Sequence, residues 1–387
     1  MSALDDLVTL VRIDSQNPGP LEHRCAAWVQ GRLARAGISA RRHDTPDGRP
    51  NLVAAVPGTG RASRLVLLAH MDTVPVGVGW AASPLGGEIR DGAVWGRGAA
   101  DMKAGLAAAI AVLESLALGP PPPGDVVLCA TADEEGPEMS GIRTLVGADV
   151  VGAGDQVLAL EPTGLRLRVA QVGLRWLELE VRGRMAHGGR AHRDGIDANH
   201  IAALIAIELK RRFPGLAAEH ELLGPPRITC TGLRGGVAVN VVPPSCTLTL
   251  DARVVPPLLP EDAERLAGQV AAAVCAGFPG SSFELRCLGA ARPPVVADQA
   301  SPLIQGLRQA FRAELGRPLE QGGEDGSEAY TDASMVAALT GSRSCAVWGP
   351  GHPSQAHAAD EHVTIAELEA TQRVLARLAR QPLVSVR

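Results

Sequence analysis

Hydrophobic and polar positions fall into two textures along this chain. Residues 4–36 repeat apolar positions at helical spacing, and Gly37 stands where the second of two helices would end. A strand is expected at residues 51–57, followed by a tight turn through Gly58-Thr-Gly60. Residues 64–70, 125–130 and 155–160 are apolar runs without alternation. Such runs suit strands buried on both faces. The Ala/Leu-rich stretch 102–118 predicts a helix, which the proline run at 120–123 closes. Strands alternating with helices predict an α/β fold with a mainly parallel sheet flanked by helices.

At Gly173 the texture changes. Leu174-Arg-Trp-Leu-Glu-Leu-Glu-Val alternates apolar and polar residues, as in a sheet with one wet face. A helix at 195–213, strands at 227–231 and 245–254, a helix at 261–277 and a strand at 283–287 complete the order β-α-β-β-α-β. That order predicts a small two-layer α+β domain of the ferredoxin-like type. After residue 290 the first texture returns, with helices at 302–315, 332–339 and 365–380 and a strand at 344–348. The chain thus reads as a first domain in two parts, residues 1–172 and 290–387, with a second domain of residues 173–289 inserted into it. A length of 387 residues also exceeds what one core usually supports.

Composition narrows the class of protein. A net charge of −5 without a long basic run, and only 3% aromatic residues, argue against nucleic acid as a partner. The seven cysteines are scattered and form no CxxC pair, so reduced core thiols are expected in place of a zinc ribbon or disulfide framework. No apolar stretch approaches a membrane span, and the acidic start Met1-Ser-Ala-Leu-Asp-Asp lacks a signal-like pattern. A cytoplasmic protein with no membrane partner is the expectation.

The chemistry-bearing residues gather where strands end. His70-Met-Asp72 follows the 64–70 run, and residues i and i+2 of an extended segment share a face, so Asp72 could accept the ring N–H of His70. Gly96-Arg-Gly-Ala-Ala-Asp101-Met-Lys103 is a glycine-rich turn opening a helix. Asp133-Glu134-Glu135-Gly136 follows the 125–130 run, and Leu160-Glu161-Pro162 the 155–160 run. Far along the chain, Gly349-Pro-Gly351-His352-Pro-Ser-Gln-Ala-His357 offers two histidines for one ligand role. Singly, each of these reads as well as a cap, a core histidine or a solvated loop. Together they place carboxylates and imidazoles where open α/β sheets bind ligands, a donor set suited to a catalytic divalent ion. No GxxxxGK[ST] loop supports a nucleotide site.

These motifs, with Glu161-Pro-Thr and Ala356-His-Ala-Ala-Asp-Glu361, resemble the dinuclear-zinc amidohydrolases and exopeptidases. That family includes acetylornithine deacetylase, succinyl-diaminopimelate desuccinylase, aminoacylase and glutamate carboxypeptidase, and the resemblance covers nearly the whole chain in the right order. It implies a zinc-exopeptidase-like catalytic domain with an inserted lid and dimerisation domain, two Zn2+ ions that Co2+ can replace, and a homodimer. By position, Asp101 would bridge the ions, His70 and Glu161 would complete one site, and Glu135 and His357 the other. The match selects His357 over His352. Glu134 would be the general base and Asp72 the residue orienting His70. In the lid, His187 would reach the partner's site to stabilise the oxyanion, and Asn240 and Arg253 would bind the substrate carboxylate.

The implied reaction is hydrolysis of an amide bond next to a carboxylate. Its substrate would be an N-acyl amino acid, or a short peptide if the chain is instead an exopeptidase (carboxypeptidase or dipeptidase). Gly349-Pro-Gly and Gln355-Ala-His357 resemble the acetylornithine deacetylase branch and favour deacylation. The loop bearing Glu324, Asp325 and Glu328 is a candidate to recognise a cationic substrate side chain.

Overall fold

The computed structural model describes residues 2–19, 22–322 and 329–384. The chain divides into two compact units, Met1–Gln171 with Val296–Arg387, and Val172–Val295.

The first unit is built on a six-stranded sheet. Its order is Ala40–Asp44, Pro50–Val56, Val126–Thr131, Leu65–His70, Gln156–Ala159 and Cys345–Val347. The last four run parallel, and the first two are antiparallel additions at one edge. Leu65–His70, Val126–Thr131 and Gln156–Ala159 are buried along their whole length, which accounts for their unbroken apolar sequences. The edge strand Ala40–Asp44, by contrast, carries Arg41, Arg42 and His43 on partly open backbone and shows no apolar signature. Helix Ala104–Ala117 lies at the centre of the unit, with every residue from Ala104 to Leu113 buried. Gly105 lets its main chain approach the next segment closely: a Cβ there would lie 2.2 Å from the carbonyl oxygen of Leu160. Helix Ala3–Arg12 is held to this centre by the buried Lys103, whose Nζ donates to the carbonyls of Leu10 and Ile13 at 3.0 and 2.9 Å. Those carbonyls sit at a helix C-terminus, where a cation is favoured.

In the second unit a four-stranded antiparallel sheet has the order Arg227–Gly235, Ser245–Val254, Gly173–Arg182, Ser282–Arg292. This is the ferredoxin-like arrangement. Register explains the alternation. Leu177 pairs with Leu250, Leu179 with Leu248 and Val181 with Cys246, all buried beneath helices Ala198–Arg212 and Pro260–Ala276, while Glu178 and Glu180 between them face away. Asp197 caps the first of these helices by accepting the N–H groups of Asn199 and His200. All seven cysteines are free. No described helix is long and apolar enough to cross a membrane.

Candidate metal centre

Parallel strands of the first unit deliver their C-terminal ends to one side of the sheet, and the candidate ligands follow those ends. His70 closes its strand. Glu161 comes two residues after Ala159, and the Asp133-Glu134-Glu135 turn follows Thr131. Asp133 adopts a positive φ of 60°. Its carboxylate is gripped by the N–H and hydroxyl of Ser140 at 3.0 and 2.6 Å, by Asn17 at 3.1 Å and by the buried Arg49. The turn needs Gly136, because a Cβ there would fall 1.9 Å from Asp133 Oδ1.

Asp101 arrives differently. Helix Ala104–Ala117 begins later than its apolar pattern suggests, because residues 99–103 form an irregular turn in which Asp101 (φ −116°, ψ 92°) and Met102 leave helical geometry. The two carboxylate oxygens of Asp101 face different imidazoles. Oδ1 lies 3.1 Å from His70 Nε2, and Oδ2 lies 3.5 Å from His357 Nε2. Glu161 Oε2 is 3.7 Å from His70 Nε2, and Glu135 Oε1 is 3.0 Å from His357 Nε2. Two groups result, His70–Asp101–Glu161 and Asp101–Glu135–His357, each with its donor atoms within 4.8 Å of one another. The His70, Asp101, Glu135 and Glu161 side chains are at most 12% exposed, whereas that of His357 is 55% exposed, so the centre opens on the His357 side. A cavity of about 320 Å³ adjoins it, lined by Glu161, Thr163, Arg168, Gln171, Thr331 and His357 among others.

The electrostatics are those of crowded carboxylates in a dry setting. Burial raises Glu134 well above the usual carboxylate range, and Glu161 adds to the effect. Burial also pushes Glu161 up to about 7 and raises Glu135, in the second case with help from Asp101. For Asp101 burial is again the largest influence and works the same way, but the bond to His70 and the charges of His70 and His357 together outweigh it and the pKa falls. Burial would lower His70, yet Glu161 and Asp101 together raise it well above the imidazole range. The bond to Glu135 lifts His357 to about 9. Three carboxylates sharing two imidazoles in this way are suited to divalent cations, and an oxygen–nitrogen donor set without sulfur fits a catalytic ion.

Asp72 meets His70 through its main chain and not through the carboxylate that its spacing suggested. The strand ends at His70, so alternation no longer applies, and His70 Nδ1 bonds the main-chain carbonyl of Asp72 at 2.9 Å; the Asp72 carboxylate stands 3.8 Å away. That carboxylate instead accepts the N–H groups of Glu134 and Glu135 at 3.3 and 3.2 Å and the Asn17 amide at 2.9 Å. Asn17 and Arg49 had no signal in the sequence, since each acts across long stretches of chain. His352 turns away to Ser354, 2.7 Å from its Nδ1.

Within the second unit, His187 and Asn240 lie on paired loops: Gly188 N–H donates to the Asn240 carbonyl at 2.8 Å, and His187 forms a bridge with Val241. His187 is exposed and its Nδ1 accepts the Gly189 N–H, which leaves Nε2 as the protonated nitrogen. Arg253 directs its Nε and Nη2 to Asp251 at 2.6 and 2.8 Å, so a substrate carboxylate would compete with that partner. Glu324, Asp325 and Glu328 lie outside the described residues.

Known proteins align with this architecture. The sequence pattern of peptidase family M20/M25/M40 matches residues 66–381. A succinyl-diaminopimelate desuccinylase of Cereibacter sphaeroides is 30% identical, over 97% of this chain and 96% of its own length. Two solved structures share the fold. A tripeptidase of Staphylococcus aureus has a TM-score of 0.80 at 20% identity, covering 98% of this chain and 97% of its own. An M20 family metallo-carboxypeptidase of Sulfolobus solfataricus has a TM-score of 0.80 at 18% identity, covering 99% and 100%. The chain therefore belongs to peptidase family M20/M25/M40 and is a metal-dependent amidohydrolase.

Proposed function

We propose that this chain is a cytoplasmic, zinc-dependent deacylase that releases an amino acid from its N-acyl derivative. The observation that carries this reading is Asp101, whose two oxygens face separate imidazole–carboxylate sets, with the buried Glu134 beside them. Its near full-length similarity to a desuccinylase favours deacylation over peptide cleavage. His70, Asp101 and Glu161 would hold one zinc ion and Asp101, Glu135 and His357 the other, and cobalt would serve in their place. Divalent ions held by these residues would supply Lewis-acid chemistry, a lowered pKa for water and polarisation of the scissile carbonyl.

The remaining chemistry falls to side chains. Glu134, with its raised pKa, accepts a proton from the attacking water and passes it to the leaving amine as the C–N bond breaks. Asp72 holds the main chain of Glu134 and Glu135 in place. His187, presented by the partner subunit of a homodimer, donates through Nε2 to the developing oxyanion. Asn240 and Arg253 bind the substrate carboxylate, Arg253 by exchanging Asp251 for it.

A screen of zinc- and cobalt-loaded protein against acetyl, succinyl and formyl amino acids and dipeptides tests this function. Turnover of an N-acyl amino acid, lost on chelation and restored by zinc, is expected. A preference for dipeptides would move the assignment to an exopeptidase, the reading that the peptidase folds favour.

A further inference from the structure

Glu361 ends the segment that carries His357, and the reaction proposed above makes no use of it. Its side chain is fully buried and ringed by donors. Oε1 accepts the N–H groups of Ala100 and Asp101 at 2.9 and 3.0 Å; Oε2 accepts the Gly98 N–H at 3.0 Å and Arg97 Nη1 at 2.6 Å. The Arg97 guanidinium, only 3% exposed, extends this network to the other loop. Nη1 also donates to the Ala358 carbonyl at 3.1 Å, and Nη2 reaches the carbonyl of His357 at 3.4 Å. Glu361 is itself fixed by the adjoining antiparallel pairing of His362–Thr364 with Ala93–Trp95, and by Gly96 N–H donating to its carbonyl at 2.8 Å.

We propose that Glu361 and Arg97 are positioning residues that set Asp101 between the two metal sites and tie the His357 loop to it. This rests on the ligand assignment under Proposed function. Asp101 lies in a turn without helical geometry, so no helical ladder orients it. Buried N–H groups there need another acceptor, and Glu361 supplies one carboxylate for three of them. A buried ion pair adds little stability by itself. This one is placed to act on geometry, because its two members touch the main chain of Asp101 and of His357. Residues that orient metal ligands from behind typically change affinity by roughly 10–100-fold when altered.

Titration of Co2+ into metal-stripped protein against a chromophoric chelator, with circular dichroism and Tm of the metal-free form, tests the proposal. Wild type should bind two ions. Glu361→Gln, which turns an amide N–H toward main-chain donors, should weaken both by roughly 10–100-fold, since Asp101 is shared. Arg97→Lys keeps the charge but loses the second prong, and should weaken only the ion at Asp101–Glu135–His357. In a His357→Ala background Arg97→Lys should therefore have no further effect, whereas Glu361→Gln still weakens the remaining ion. Wild-type affinities in both variants, or equal weakening of both ions by Arg97→Lys, would overturn the proposal. If Glu361→Gln fails to fold, Arg97→Lys carries the test. Wild-type protein that binds no ion would instead defeat the ligand assignment, and this inference with it.

Discussion

His357 Nε2 lies 3.0 Å from Glu135 Oε1, although 222 residues separate the two in sequence. The pair forms one half of the candidate centre, and its loss should cost that half alone. His357→Ala is expected to hold one tightly bound divalent ion per chain where wild type holds two. Asp101→Ala removes the shared carboxylate and should hold neither. Metal content by mass spectrometry after dialysis gives both counts; two ions in His357→Ala would remove His357 from the ligand set.

Asp72 acts on the turn that bears Glu134 and Glu135. Replacing it with asparagine puts an N–H group where main-chain N–H groups now donate. Asp72→Asn should lower kcat roughly 10–100-fold, as do other changes behind a metal site. Steady-state kinetics would show the loss mainly in kcat, with KM little altered; a change confined to KM would point to substrate contact.

Gly105→Ala sets two effects against each other. Helix propensity alone would stabilise the variant by up to about 1 kcal/mol. The new Cβ, however, would meet the Leu160 carbonyl oxygen at 2.2 Å and its Cβ at 2.7 Å, immediately before Glu161. Overpacking of this kind costs about 1–3 kcal/mol, so a lower Tm is expected. A raised Tm would show that helix and strand end separate easily.

The role proposed for His187 requires two chains. His187→Ala should lose about 10²–10³-fold in kcat, as for removal of an oxyanion donor. Mixed with Glu134→Ala and allowed to exchange subunits, it should regain activity, because one site of each heterodimer then has its own Glu134 and the partner's His187. No recovery, or an active monomer by light scattering, would refute the arrangement in trans.

Much of the fold was legible because burial leaves a direct mark on sequence. Leu65–His70 and Val126–Thr131 are covered on both faces and read as apolar runs, while the half-wet strand Gly173–Arg182 alternates. Elements without that contrast were silent. Ala40–Asp44 carries polar residues at an edge, the hairpin Glu88–Arg90 and Ala93–Trp95 is too short for a period, and helix Ser140–Gly147 spans barely two turns. At the candidate centre, residue types at strand ends were readable as a set. Their supports were not, since Glu361 reaches the Asp101 N–H from 260 positions away, and the Asp72 carboxylate bonds the next strand's turn while only its main-chain carbonyl meets His70. Local spacing carries no trace of such contacts.

The most direct test of two-ion amide hydrolysis with Glu134 as its base joins two readings on one preparation of Glu134→Ala: metal content and turnover of the best N-acyl amino acid. The variant should retain two ions and lose roughly 10²–10⁴-fold in kcat. Two ions with wild-type turnover would contradict the account.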